Sequence, residues 1–339
     1  MTALAVVIVA YDSAPDLPGT LAALRPQLAD ADELLIVDNA SSDDPADAAD
    51  GARVLRLQRN LGFAGGCNAG AAATTAPLLF FLNPDARPAP GCLEALRAAA
   101  GAHPGWGAWQ ALVTLPGGAE VNTRGGDVHW LGLGWAGGYG EPVDAVAAGD
   151  HAVGFASGTA LVVRRGAWDA AGGFDADYFM YGEDLDLSVR LRLAGWVVGM
   201  VPAARVEHEY EFAKGAYKWF HLERNRLWTV IGAYPAAVLA LTAPALIGLE
   251  LALLVVAARG GWLRPKLQAQ LAVLRTLPWA LRRRRRVQAV RRTSPASFAA
   301  CLSASLDSPY LEAPAVLVRV QAAYWAVVQA LLRAGSRRA

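Results

Sequence analysis

Short, unbroken apolar runs alternate along this chain with stretches whose leucines recur at helical spacing. "LAVVIVA" (4–10) is apolar throughout, the pattern of a strand buried on both faces. "LPGTLAALRPQL" (17–28) follows with helical periodicity. "ELLIVDNA" (33–40), "ARVLRL" (52–57) and "PLLFFL" (77–82) predict three further strands. Between the last two, "GFAGGCNAGAAAT" (62–74) reads as a glycine-rich loop entering a small-residue helix. This alternation predicts an α/β domain, a mostly parallel central sheet flanked by helices.

From about residue 105 to 165 the pattern weakens into Gly, Trp and strand-like pieces such as "ALVTL" and "ALVVRR". "EDLDLSVRLRLAG" (183–195) is helical again and stops at Gly195, before the strand-like "WVVGMVP". The composition then changes, which places a boundary near 215: a catalytic domain over 1–215 and a helical region over 216–339. Leu227–Leu249 carries no charge over 23 residues. As a helix that is roughly 34 Å, enough for a bilayer core of about 30 Å. Pro235 and Pro244 interrupt it, and arginines lie before and after it. Positive charge at both ends favours an in-plane or re-entrant helical pair over one crossing, with "RRRRR" (282–286) meeting anionic lipid. A buried helical subdomain, or a homo-oligomer formed through the C-terminal helices, is the competing reading.

Hydrophobic residues make up 54% and charged residues 18% of the chain, greasier than an average soluble protein, so membrane contact enters the picture. The net charge of +1 gives no reason to expect nucleic acid. Cys67, Cys92 and Cys301 are scattered and never form C-x-x-C. They fit neither a disulfide framework nor a zinc site and suit a reducing compartment. The first strand begins without a basic n-region or a cleavage site, so no signal peptide is read and the catalytic part is expected in the cytoplasm.

Three early strands end in polar groups: Tyr11 and Asp12, Asp38 and Asn39, Asn83 and Asp85. Turn chemistry explains each alone. Together at the carboxyl edge of one sheet they describe a polar pocket. Gly62, Gly65 and Gly66 are not a dinucleotide fingerprint, which belongs directly after the first strand. They either let helix-start amides face a phosphate or serve tight packing. Glu183 and Asp184 in "GEDLDL" open a helix, where acids complement the dipole. Asp186 and Arg190, four apart, predict an ordinary surface ion pair. "WLGLGWAGGYG" (130–140) and Trp196 offer aromatic faces to a sugar or belong to the core.

In this order, "VVIVAYDS", "LLIVDNASSD", "NLGFAGGCNAG", "FFLNPDA", "GGFDADYFMYGEDLDLSVRLRLAGW" and "VPAARVEH" resemble the family 2 glycosyltransferases, inverting enzymes of GT-A fold, and their rhamnosyltransferase-like branch. The resemblance spans roughly residues 4 to 212. It implies that Tyr11, Asp12, Asp38, Asn60 and Asn68 hold the nucleotide of an activated sugar, although Asp12 stands where many relatives have Asn. "NPD" occupies the place of the family's D-x-D motif, so Asp85 becomes a ligand to Mg²⁺ or Mn²⁺. Asn83 replaces the first Asp and is left to bond a ribose. His208 matches a histidine that completes that metal site. Asp184, or its neighbour Glu183, is the general base. The implied partners are a nucleoside-diphosphate sugar and a glycan or lipid-linked glycan acceptor, at the cytoplasmic face of the cell membrane, in envelope polysaccharide synthesis. A nucleotidyltransferase or dehydrogenase on a similar sheet, and a non-catalytic membrane scaffold with a degenerate transferase fold, are the rival readings.

Overall fold

The computed structural model describes residues 2–49, 51–209, 215–306 and 314–336. The chain forms two compact units, one of Met1–Gly126, Ala136–Leu191 and Trp196–Glu211, the other of Asp127–Trp135, Arg192–Gly195 and Phe212–Ala339. Residues 210–214, beside the expected boundary, lie outside the described residues.

The four expected strands form as β1 (Leu4–Ala10), β2 (Glu33–Asp38), β3 (Arg53–Arg56) and β4 (Leu78–Leu82). The weakly patterned middle of the chain adds β5 (Arg87–Pro88), β6 (Trp106–Thr114), β7 (Val121–Thr123), the pair β8 (Gly126–Val128) and β9 (Gly134–Ala136), β10 (His151–Ala152) and β11 (Ala160–Arg164). β12 (Val197–Glu207) runs through "VPAARVE". The main sheet has the order β10-β12-β6-β11-β4-β1-β2-β3. β1, β2, β3 and β4 are mutually parallel. β11 lies antiparallel between β4 and β6, with Leu161 opposite both Phe81 and Gln110. The sheet is therefore mixed, where mostly parallel pairing was expected. A strand buried on both faces reads as a continuous apolar run in either direction, so the sequence carries no sign of its polarity.

Helices α1 (Leu17–Leu24), α2 (Pro45–Ala48), α3 (Gly62–Ala72), α4 (Cys92–Ala102), α5 (Arg165–Ala171) and α6 (Glu183–Leu193) accompany this sheet. On one face Leu4, Val6 and Ile8 pack with Leu17, Leu21, Leu93 and Leu96. On the other Val7 and Val9 pack with Cys67, Trp168, Leu187 and Leu191. Each such side chain stabilises by about 1.5–3 kcal/mol when fully buried. The glycines of α3 serve this packing: a Cβ on Gly66 would stand 2.6 Å from Val9 Cγ1, and one on Gly70 2.3 Å from Val7 Cγ1.

The second unit contains α7 (Ala216–Ala233), α8 (Ala236–Arg259), α9 (Leu263–Arg275), α10 (Leu277–Ala289), α11 (Pro295–Ala300) and α12 (Ala315–Ser336). Pro235 separates α7 from α8, whereas Pro244 is carried inside α8. Glu250, which breaks the apolar run, belongs to a buried charge cluster. Arg226 binds Glu223 at 3.0 Å and also binds Glu250, while Lys266 binds Glu250 at 2.7 Å and also binds Glu223. Trp130 is fully buried and stacks on Trp325, with centroids 5.3 Å apart, so it belongs to the core.

Candidate active site

β1, β2 and β4 carry their polar endings to one edge, and the order β2-β1-β4 reverses the chain's progress at β1. That is a topological switch point, where open sheets leave a crevice outside their carboxyl ends. Tyr11 is half exposed at the end of β1. Asp12 adopts a positive φ of 48° and its Oδ1 accepts from both Ser42 N (2.7 Å) and Ser42 Oγ (2.9 Å). It thus clamps the loop after β2. Asp38 is buried, and its Oδ1 accepts from Ser41 N at 2.9 Å, leaving the second oxygen for a ligand.

The segment between β3 and α3 is held from within. Asn39 Nδ2 donates to Asn60 Oδ1 (3.0 Å) and Gly62 O (3.1 Å), and Asn39 Oδ1 accepts from Leu61 N at 2.8 Å. Asn60 Oδ1 also accepts from Gly62 N at 2.7 Å. The amide of Ala64 donates to Phe179 O at 3.1 Å. Gly62, at φ +71°, is required there, since a Cβ would stand 2.3 Å from that same oxygen. The amides of Gly62 and Ala64 at the start of α3 are therefore spent inside the fold, and the packing alternative for its glycines holds. Asn68 uses both ends of its amide on Phe174, at 2.8 and 3.0 Å. Asn60 and Asn68 brace the backbone here, a role that nothing local in the sequence separates from a ligand contact.

The turn after β4 is pinned. Asn83 N donates to Thr159 O at 3.0 Å, Ala86 N to Asn83 O at 3.2 Å, and Thr20 Oγ1 to Pro84 O at 2.6 Å. Asp85 is left with a side chain 42% exposed, and its Oδ1 is 3.3 Å from His208 Nε2. Asn83 Nδ2 is 3.4 Å from the same nitrogen. His208 follows β12, is buried, and has no partner for Nδ1 among the described residues. A carboxylate oxygen and an imidazole nitrogen this close suit a divalent cation, but two donors are too few to hold it alone. No group of three metal-ligating side chains exists among the described residues. The remaining ligands would have to come from substrate oxygens and water.

Asp184 and Glu183 open α6, and the structure separates them. Asp184 is half-buried; its Oδ2 accepts from Gly158 N at 3.0 Å and its Oδ1 from Leu185 N at 2.7 Å. Glu183 is buried, with Oε2 unpartnered among the described residues. Burial, and then the charge of Asp184, push the Glu183 carboxyl well above its ordinary range. Burial raises Asp184 too, but the Gly158 and Leu185 amides oppose the rise. Both carboxyls are raised, but the two amides favour the charged form of Asp184, whereas the charge of Asp184 adds to the rise of Glu183. Gly158, missed in the sequence, is decisive: it anchors Asp184 while Thr159 beside it anchors Asn83, tying both motifs to one dipeptide. The nearest sequence signal was only its place ahead of the apolar run "ALVVR".

Asp186 and Arg190 correct an expectation. They form no surface pair: their side chains are 0% and 5% exposed, with Nε to Oδ2 at 2.7 Å. Tyr178 Oη donates to Asp186 at 3.0 Å, and Arg190 also donates to Ala171 O and Gly173 O. The pair holds α6 against the loop before it. In that loop Phe179 sits in a γ-turn (φ 65°, ψ −64°), closed by Met180 N to Tyr178 O at 2.8 Å. Such backbone strain persists only where its surroundings enforce it.

The mixed α/β sheet with flanking helices has the GT-A fold of solved glycosyltransferases. Residues 5–139 match glycosyl transferase family 2, and residues 78–303 match glycosyl transferase family group 2. Over 261 residues the chain is 33% identical to the N-acetylglucosaminyl-diphospho-decaprenol L-rhamnosyltransferase of Mycobacterium tuberculosis (strain H37Rv), covering 67% of this chain and 83% of that protein. Rhamnosyltransferase WbbL of Escherichia coli K12 is 38% identical over 79 residues, 22% of this chain and 30% of WbbL. Among solved structures, GalNAc-T7 with UDP, GalNAc and Mn²⁺ shares the fold at a TM-score of 0.56 and 17% identity, over 72% of this chain and 51% of that one. The chain belongs to glycosyltransferase family 2, on its rhamnosyltransferase-like branch.

Proposed function

We propose that this enzyme transfers L-rhamnose from a nucleoside diphosphate to a hydroxyl of a diphospho-polyprenol-linked sugar, with inversion, in cell-envelope polysaccharide synthesis. The supporting geometry is the Asp85–His208 pair at 3.3 Å together with a separate carboxylate, Asp184, fixed by a backbone amide. The names of the M. tuberculosis and E. coli relatives support the sugar, and the former supports the acceptor.

Tyr11, Asp12 and Asp38 line the nucleotide's place, Asp38 through its uncommitted oxygen. Asp85 and His208 would hold Mg²⁺ or Mn²⁺, with further ligands from the donor; the presence of Mn²⁺ in the GalNAc-T7 structure supports a divalent cation. When bound, the cation offsets negative charge on the departing diphosphate. Asp184 takes the proton of the acceptor hydroxyl as that oxygen bonds to the anomeric carbon from the face opposite the leaving group. The bond from that carbon to the phosphate oxygen breaks, and the nucleoside diphosphate leaves with its electron pair.

The second unit docks on the cytoplasmic membrane face. Ile247, Leu251 and Val255 of α8 and Leu267, Leu271 and Leu274 of α9 are exposed apolar side chains. α8 and α12 are each long and apolar enough to cross a bilayer. Glu250, bonded to Arg226 and Lys266, argues that α8 lies along the interface, because a crossing would carry that cluster to bilayer depth.

The test supplies dTDP-L-rhamnose and N-acetylglucosaminyl-diphospho-polyprenol. Acceptor-dependent release of nucleoside diphosphate with an inverted linkage is expected; no release with this pair, but release with another, would replace the substrates while leaving the reaction class.

A further inference from the structure

The second unit carries a groove of about 610 Å³ whose charge is of one sign. Arg284, Arg285, Gln288 and Arg291 line it with Ala236 and Pro295, and among the described residues no carboxylate does. Two of these side chains are fixed. Arg284 Nη1 donates to the carbonyls of Ile231 and Tyr234, both at 2.7 Å, and Gln288 Nε2 to Ala233 O at 2.9 Å. Those carbonyls lie at the end of α7, so the bonds cap that helix and hold both side chains at the groove. Ala236 is the first residue of α8, whose N-cap Pro235 supplies no side-chain bond. Ala237 lines the groove as well, which places the first turn of α8, the positive end of that helix, beside it.

Guanidiniums gathered without a carboxylate repel one another. Burial, and then the charge of Arg291, hold Arg284 below its ordinary value. An anion among them removes that repulsion, and the planar fork of arginine takes phosphate oxygens two at a time. The five consecutive arginines do not form one flat basic face: Arg283 is buried, Arg284 is half-buried, and Arg282, Arg285 and Arg286 are exposed. Leu281 lines the groove as well and is exposed, as is Leu277 one turn earlier. An apolar rim beside a cationic groove matches a molecule with a phosphate head and a hydrocarbon tail.

We propose that this groove is a binding site for a phosphate or diphosphate group carried by a membrane lipid. The site deepens the membrane reading above and does not depend on the transfer chemistry.

The experiment compares two full-length double variants that remove equal charge. Arg285→Gln with Arg291→Gln alters the groove, at exposed side chains that make no hydrogen bond among the described residues. Arg282→Gln with Arg286→Gln alters exposed arginines of α10 that do not line it. Circular dichroism verifies that both fold. The probes are phosphatidylglycerol vesicles, phosphatidylcholine vesicles and inorganic pyrophosphate at constant ionic strength. The groove variant is expected to lose at least about tenfold more affinity for phosphatidylglycerol vesicles than the control, beyond the equal loss that charge alone produces. Pyrophosphate should bind the wild type and control, fail with the groove variant, and displace wild type from vesicles. Equal losses in the two variants, or pyrophosphate binding indifferent to both, would overturn the site. Groove-dependent pyrophosphate binding without vesicle binding would keep the phosphate site, assign it a soluble ligand and refute the membrane reading.

Discussion

His208 Nε2 stands 3.3 Å from Asp85 Oδ1, which joins the end of β12 to the turn after β4. Nothing local demands this contact. The imidazole is buried, the carboxylate is partly exposed, and Asn83 approaches the same nitrogen at 3.4 Å. Two residues of one turn, Asn83 and Asp85, thus meet a histidine 125 positions beyond Asn83 at one corner of the sheet.

The cation should therefore depend on Asp85. Asp85→Ala is expected to weaken Mn²⁺ binding, measured calorimetrically with nucleoside diphosphate present, by more than about 100-fold, beyond what loss of an outer-sphere partner usually costs. His208→Ala should weaken it in the same direction. Thermal denaturation should change little in Asp85→Ala, because that side chain is 42% exposed. Unchanged Mn²⁺ affinity would remove Asp85 from the site.

The Asp186–Arg190 pair should behave as a buried ion pair. Asp186→Asn leaves Arg190 charged and buried, and is expected to destabilise the protein by about 3–5 kcal/mol in chemical denaturation. A loss below about 1 kcal/mol would be the response of an exposed pair.

These two cases mark what the sequence made legible. The strand runs, the helix at 183–195 and the polar strand endings were readable because each is local: continuous apolarity, helical periodicity, turn residues in series. Burial of Asp186 was not, since four-residue spacing is the same on an inner and an outer helix face. β11 was visible as "ALVVRR", but its antiparallel insertion between β4 and β6 depends on long-range pairing. The bracing role of Asn60 and Asn68 depends on which backbone groups lie nearby. Glu250 read as an interruption of a greasy helix because its partners Arg226 and Lys266 lie on other helices.

Glu250 also predicts a pH response. Burial raises its carboxyl, but Arg226 and Lys266 outweigh that and hold it at about 2, below the ordinary 4.5. A depressed carboxylate contributes stability that is complete above its unfolded value and is lost as pH falls through the folded one. Wild type should lose stability between about pH 4.5 and 2 more steeply than Glu250→Gln, which starts less stable at pH 7. Thermal melts across that range check this; parallel curves for the two proteins would exclude the cluster as the cause.

The acid pair at the start of α6 separates catalysis from binding. The Gly158 and Leu185 amides favour the charged form of Asp184, while burial and the charge beside it push the Glu183 carboxyl upward. Asp184→Asn keeps size and one of the two backbone hydrogen bonds, since only its carbonyl oxygen can accept, and it cannot take up a proton at neutral pH. Donor affinity should stay near wild type while turnover falls by roughly 10²–10⁴. Glu183→Gln should act differently. A carboxyl whose folded value is raised costs stability as pH rises from its unfolded value through the folded one. Removing it should raise the melting temperature at pH 7 relative to wild type, with the gain vanishing near pH 4, and should spare most turnover. A larger loss of turnover in Glu183→Gln than in Asp184→Asn would transfer the base to Glu183. Wild-type turnover in both variants would leave the two acids only their place at the head of the helix.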